Sequence, residues 1–144
     1  MDNVICKKIK LILWLMAGCF VLLAGYIMFP VQGVKKTLFP VFAVIAIVFS
    51  VLGIILFLLT VKQGIERKLK VFLVLSAVSS AVFVPAVILH NLVYGLFIKL
   101  FGENYWAGKG DEALFFIIAV IICPLVFLTG LIGSIILLSR EKGN

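Results

Sequence analysis

Charged residues divide this chain into four long apolar runs. Residues 11–34, 37–61, 71–98 and 113–139 contain no Asp, Glu, Lys or Arg, and each is dense in Leu, Ile, Val and Phe. The runs measure 24, 25, 28 and 27 residues. A hydrocarbon core is crossed by about 20 residues of helix, so each run is long enough to span once. Lipid offers no partner to a backbone amide or carbonyl, so spanning structures are helices or closed barrels. The runs are continuously apolar, without the alternation of a barrel strand. The pattern therefore predicts an all-α, polytopic membrane protein with four transmembrane helices, at 9–29, 38–61, 71–95 and 113–138. The connections are short, so neighbouring helices are expected to form an antiparallel bundle. No linker or repeat interrupts residues 1–144, which read as a single domain.

Local signals refine the boundaries. Pro30 is expected to stop the first helix. Thr37 is a plausible cap for the second, with Pro40 in its first turn, where a missing N–H is harmless. The third helix has enough apolar sequence to continue to Phe101. One stretch of the first helix has two meanings. Lys7, Lys8 and Lys10 precede "WLMAGCF", and small residues leading to Cys19 resemble a lipoprotein cleavage site. The chain continues "FVLLAGYIMF", however, and stays apolar for a full span. An uncleaved helix is the expectation.

Composition agrees with the pattern. The chain is 65% hydrophobic and 13% charged, with a mean hydropathy of +1.32, whereas soluble domains are about a quarter charged. The net charge of +7 is juxtamembrane. Nine Lys and Arg lie on the side of the termini and the second loop: Lys7, Lys8, Lys10, Lys62, Arg67, Lys68, Lys70, Arg140 and Lys142. Four lie on the other side: Lys35, Lys36, Lys99 and Lys109. The positive-inside bias then predicts a multi-pass protein of the cell membrane with both termini cytoplasmic. Basic clusters beside spans point to anionic lipid rather than to nucleic acid. The expected partners are the lipid bilayer and, beyond it, another membrane protein or a second copy.

Candidate chemistry is sparse. Cys6, Cys19 and Cys123 form no C-x-x-C pair, and one His with three scattered Cys makes no metal-ligand set. Neither a metal nor a cofactor is expected. No ionisable residue lies deep in a run, where a proton-coupled transporter needs one. Phosphate loops, H-E-x-x-H and G-x-S-x-G are absent.

The third helix carries the main polar stripe. At 100° per residue, Ser76, Ser79, Ser80, His90, Asn91 and Tyr94 fall within an arc of about 120°. The stripe is either a packing face or a polar path loosened by Pro85. Small and hydroxylated residues let helices approach closely. The fourth helix supplies a matching face, with Gly133 and with Gly130 and Ser134 at small-xxx-small spacing. His90 lies 20 residues beyond Lys70, about 30 Å along the helix, at the far membrane boundary. Asp111 and Glu112 precede the fourth helix at that boundary, where they favour the positive end of its dipole. His90, Asn91, Tyr94, Asp111 and Glu112 thus form a candidate polar cluster. Ser76, Ser80, Gly130 and Ser134 are candidate helix-packing residues. Tyr94, Tyr105 and Trp106 suit an interfacial aromatic belt.

The stretch from "HNLVYGLF" through "GDEALFFIIAVIICPLVFLTGLIGS" resembles that of uncharacterised small prokaryotic four-helix membrane proteins. The likeness covers about the last 55 residues and implies a prokaryotic origin and no particular activity. The functional expectation is a membrane component without enzymatic activity: accessory, regulatory or self-associating. The alternatives are a small transporter or channel along the third helix, and a membrane enzyme centred on His90.

Overall fold

The computed structural model describes residues 3–28, 32–107 and 113–140, and every regular element among them is helical. The four helices are α1 (Asn3–Met28), α2 (Gln32–Lys62), α3 (Arg67–Phe101) and α4 (Leu114–Arg140). All four are long and apolar enough to cross a membrane.

Paired residues define the register. Phe20 meets Phe49 and Tyr26 stacks on Phe42, so α1 and α2 run antiparallel. Ser50 bonds to Ser80 while Gly53 approaches Ala77, which makes α2 and α3 antiparallel. Gly130 lies against Ser76 and Gly133 against Phe72, giving the same relation between α3 and α4. Lys10 reaches Leu138 and Phe20 meets Phe127, which brings α4 back to α1. The outcome is the antiparallel four-helix bundle that the apolar runs predict.

Packing is uneven, and α3 is its centre. Association in lipid depends on close van der Waals contact rather than on excluding water. The buried face of α3 is built for closeness: Ser76, Ala77, Ser79, Ser80 and Ala86 lie between the larger Leu69, Leu73 and Phe83. The neighbours answer with glycine. A methyl at Gly53 on α2 would stand 2.7 Å from the Ala77 carbonyl oxygen and 2.8 Å from the Ala81 nitrogen. A methyl at Gly130 on α4 would stand 2.6 Å from the Ser76 nitrogen and 2.7 Å from the Phe72 carbonyl oxygen. On both flanks of α3, then, backbone meets backbone.

The helices differ from the sequence expectation at their ends and at one interior point. Each of α1, α2 and α3 begins several residues before its apolar run. In α1 and α3 the exposed Lys7, Lys8, Arg67 and Lys68 keep their charged heads in water while the helix continues. Pro40, expected in a first turn, sits in the ninth position of α2, so a helical hydrogen bond is lost there. α3 is 35 residues long, about 52 Å, and outruns a hydrocarbon core of about 30 Å. It ends at Gly102, whose φ of +92° turns the chain while its amide donates to the Ile98 carbonyl at 2.9 Å.

The interior point lies in α4. Leu114–Ile117 is α-helical, Ile118–Ile122 is π-helical, and the α-helix resumes at Cys123–Arg140. The Cys123 amide reaches back five residues to the Ile118 carbonyl. Pro124 follows at once. Its ring would crowd the carbonyl four residues earlier, and a widened turn relieves that clash.

Candidate functional site

The hydroxyl stripe of α3 is sealed and satisfied within its own helix. Ser76 and Ser80 are 0% exposed and Ser79 is buried. The Ser76 hydroxyl donates to the Phe72 carbonyl at 3.2 Å. Ser79 donates to Leu75 at 2.7 Å, and Ser80 to Ser76 at 2.8 Å. One residue links the stripe to another helix: Ser50 on α2 donates to the Ser80 carbonyl at 2.8 Å, and the Val84 amide donates to Ser50 at 3.4 Å. Gly130 of α4 stands against Ser76, and Ser134 is buried one turn further along. The Ser134 hydroxyl is the one buried side-chain polar atom without a hydrogen-bond partner among the described residues.

The stripe does not continue as one buried path. The buried positions of α3 end at Ala86. His90 is half-buried, while Asn91 and Tyr94 are exposed. Asn91 donates to the Val87 carbonyl of its own helix at 2.8 Å. The ring of His90 lies 5.7 Å from that of Phe116, so the histidine stands beside the first turn of α4. Asp111 and Glu112, the acidic members of the candidate cluster, lie outside the described residues.

Beyond His90 an aromatic layer covers one side of α3. The chain turns at Gly102 and folds back along the helix. Trp106 stacks on Tyr94 at 5.7 Å and 13°, and its indole N–H donates to the Tyr94 carbonyl at 3.2 Å. Tyr105 packs on Phe97 at 5.2 Å and on Phe101 at 5.0 Å. The Tyr and Trp rings are amphipathic, and the layer ties the loop to the helix end, as an interfacial belt requires.

A second site was not foreseen from the residues. An apolar cavity of about 280 Å³ lies between α1 and α4, floored by α2 and α3. Phe20, Leu23, Ala24, Ile27 and Met28 line it from α1. Val120, Cys123, Pro124 and Phe127 line it from α4, with Phe49 and Phe83 beneath. The phenylalanines form a connected cage. Phe127 is 5.0 Å from Phe20 and 5.0 Å from Phe49, and Phe49 is 6.2 Å from Phe83. The only sign of this site in the sequence was Pro124 in mid-span, since apolar periodicity does not separate a wall residue from a core residue.

The cysteines stay apart from any shared chemistry. All three are free thiols, Cys6 and Cys19 half-buried and Cys123 buried at the cavity wall. Among the described residues, no three of His, Cys, Asp and Glu gather closely enough to hold a metal ion. No protein-family model matches the chain, and no curated protein or solved structure matches it either.

Proposed function

We propose that this protein is a non-enzymatic component of the cell membrane, an accessory, regulatory or self-associating bundle with both termini in the cytoplasm. The observation that carries this reading is the state of the α3 stripe. Ser76, Ser79 and Ser80 are buried, and their hydroxyls are turned back onto carbonyls of the same helix. A conducting path needs polar groups directed into a shared, hydrated space. Here the same groups serve close packing against Gly53 and Gly130. The polar groups at the far end are spent locally too, Asn91 on Val87 and the Trp106 indole on Tyr94.

Reconstitution tests the reading. Purified protein in sealed vesicles is expected to leave proton and potassium gradients intact. In mild detergent it is expected to run as an oligomer or to retain a membrane partner at fixed stoichiometry. A saturable flux abolished by Ser76→Leu or Ser80→Leu would replace this reading with the transporter. That second reading draws on the buried, unpartnered hydroxyl of Ser134.

A further inference from the structure

We infer that the cavity between α1 and α4 is a seat for one acyl tail of a bilayer lipid. The inference is independent of the accessory role, because it concerns a different face of the bundle.

Three observations lead to it. The first is the wall. Among the described residues, no charged side chain lines the cavity, and the sole heteroatom-bearing side chains there are the Cys123 thiol and the Met28 thioether. Water gains nothing in such a space, and apolar cavities stay dry. The second is size. At about 280 Å³ the cavity is nearly twice the ~150 Å³ apolar void that takes benzene. It suits several methylenes in a row rather than a single ring. The third is continuity with the lipid-facing surface. Ile27 and Met28 line the cavity and are also exposed, Met28 by 80%. The helices flanking it present Leu22, Ile121, Ile122 and Leu125 outward. The hydrocarbon of the bilayer therefore extends into the cavity without crossing a polar barrier.

The local architecture holds the space open. The Phe20, Phe49, Phe83 and Phe127 rings brace one another from all four helices. On the α4 side, the π-helical turn and Pro124 widen the backbone where the cavity lies. An empty cavity would deprive these walls of dispersion contacts on one side. A tail restores them.

The chemistry also dictates how binding behaves. A lipid tail is already in hydrocarbon, so its gain is packing rather than release from water. Binding should be weak, quickly exchanging and indifferent to headgroup, because no lining side chain among the described residues is charged.

Contact quenching by brominated acyl chains tests this. One single-tryptophan protein carries Phe83→Trp with Trp14→Phe and Trp106→Phe. A second carries Phe49→Trp in the same background. Both positions are buried, so hydrocarbon reaches them only through the cavity. A third keeps Trp14 alone, which is 66% exposed and reports the surrounding lipid. In vesicles of brominated phosphatidylcholine, the wall tryptophans are expected to lose roughly half their fluorescence, since contact needs separations of about 4 Å. Ala24→Phe, which plugs the cavity, should restore it and leave Trp14 quenching unchanged. Exchanging phosphatidylcholine for brominated phosphatidylglycerol should change nothing. Quenching of Trp14 without quenching at position 83 or 49, in proteins that keep their helical circular dichroism, would overturn the proposal. Relief of quenching by a small fraction of isoprenoid alcohol would overturn the acyl assignment.

Discussion

The hydroxyl of Ser50 on α2 donates to the carbonyl of Ser80 on α3 at 2.8 Å, and the Val84 amide on the same helix donates to Ser50 at 3.4 Å. A carbonyl and an amide four residues apart are the ends of one helical rung, so Ser50 wedges its oxygen at the rung that precedes Pro85. Ser50→Ala should lower stability by about 0.6–1.7 kcal/mol, the range found for hydrogen bonds between membrane helices. Ser79→Ala should cost less, because its bonds stay within α3. Unfolding in mixed detergent micelles compares the two. Equal losses would mean that the link between α2 and α3 has no particular weight.

Glycine scanning should separate contact positions from open ones. Gly53→Ala and Gly130→Ala force a methyl onto backbone atoms, which cannot swing aside. Overpacking of this kind costs about 1–3 kcal/mol, and both variants should lose thermal stability. At Gly133 the nearest atoms to a new methyl belong to the Phe72 ring, a side chain rather than backbone, so Gly133→Ala should lose less. Gly25→Ala meets nothing within 4 Å. It should be neutral or gain up to about 1 kcal/mol from the better helix former.

Lys10 supplies a charge to the end of another helix. Its ammonium donates to the Leu138 carbonyl at 3.3 Å, in the C-terminal part of α4, where a cation favours the negative end of the helix dipole. Lys10→Met keeps the apolar stem and removes the cation. The expected loss is about 0.3–1 kcal/mol, and raising the salt concentration should shrink the difference between the two proteins. A salt-independent loss would point to packing of the stem instead.

Topology can be checked with cysteines. Cys6, Cys19 and Cys123 are replaced by Ala, and single cysteines are placed after Arg140 and beside Trp106. With an impermeant thiol reagent on intact cells, the loop cysteine should react and the terminal one should react only after lysis. The opposite pattern would invert the orientation derived from the nine-to-four charge division.

The apolar runs made the four helices legible because lipid permits so few alternatives. The roles of individual small residues were only half legible. Ser76, Ser80, Gly130 and Ser134 stood out by spacing, and all four are buried. Gly53 carries an equal approach to α3, yet nothing in α2 distinguishes it from its apolar neighbours until α3 lies against it. The arc joining Ser76 to Tyr94 assumed one uniform environment along α3, but burial stops at Ala86 while the helix continues to Phe101. Pro124 lies in mid-span, where its missing amide breaks one helical hydrogen bond. A π-turn with a ring-walled cavity beside it depends on where α1 stands, and that relation exists only in three dimensions.

The four helices are unequally seated, and this bears on how the protein is made. The most apolar window of α1 is 17% buried, against 39% for α3. α1 precedes the other three helices, and its ring partners Phe42, Phe49 and Phe127 belong to helices translated later. The glycine contacts that seat α2 and α4 on α3 have no counterpart in α1, where Gly18 and Gly25 meet nothing within 4 Å. The least enclosed of the four helices is thus the easiest to trade with a neighbouring molecule.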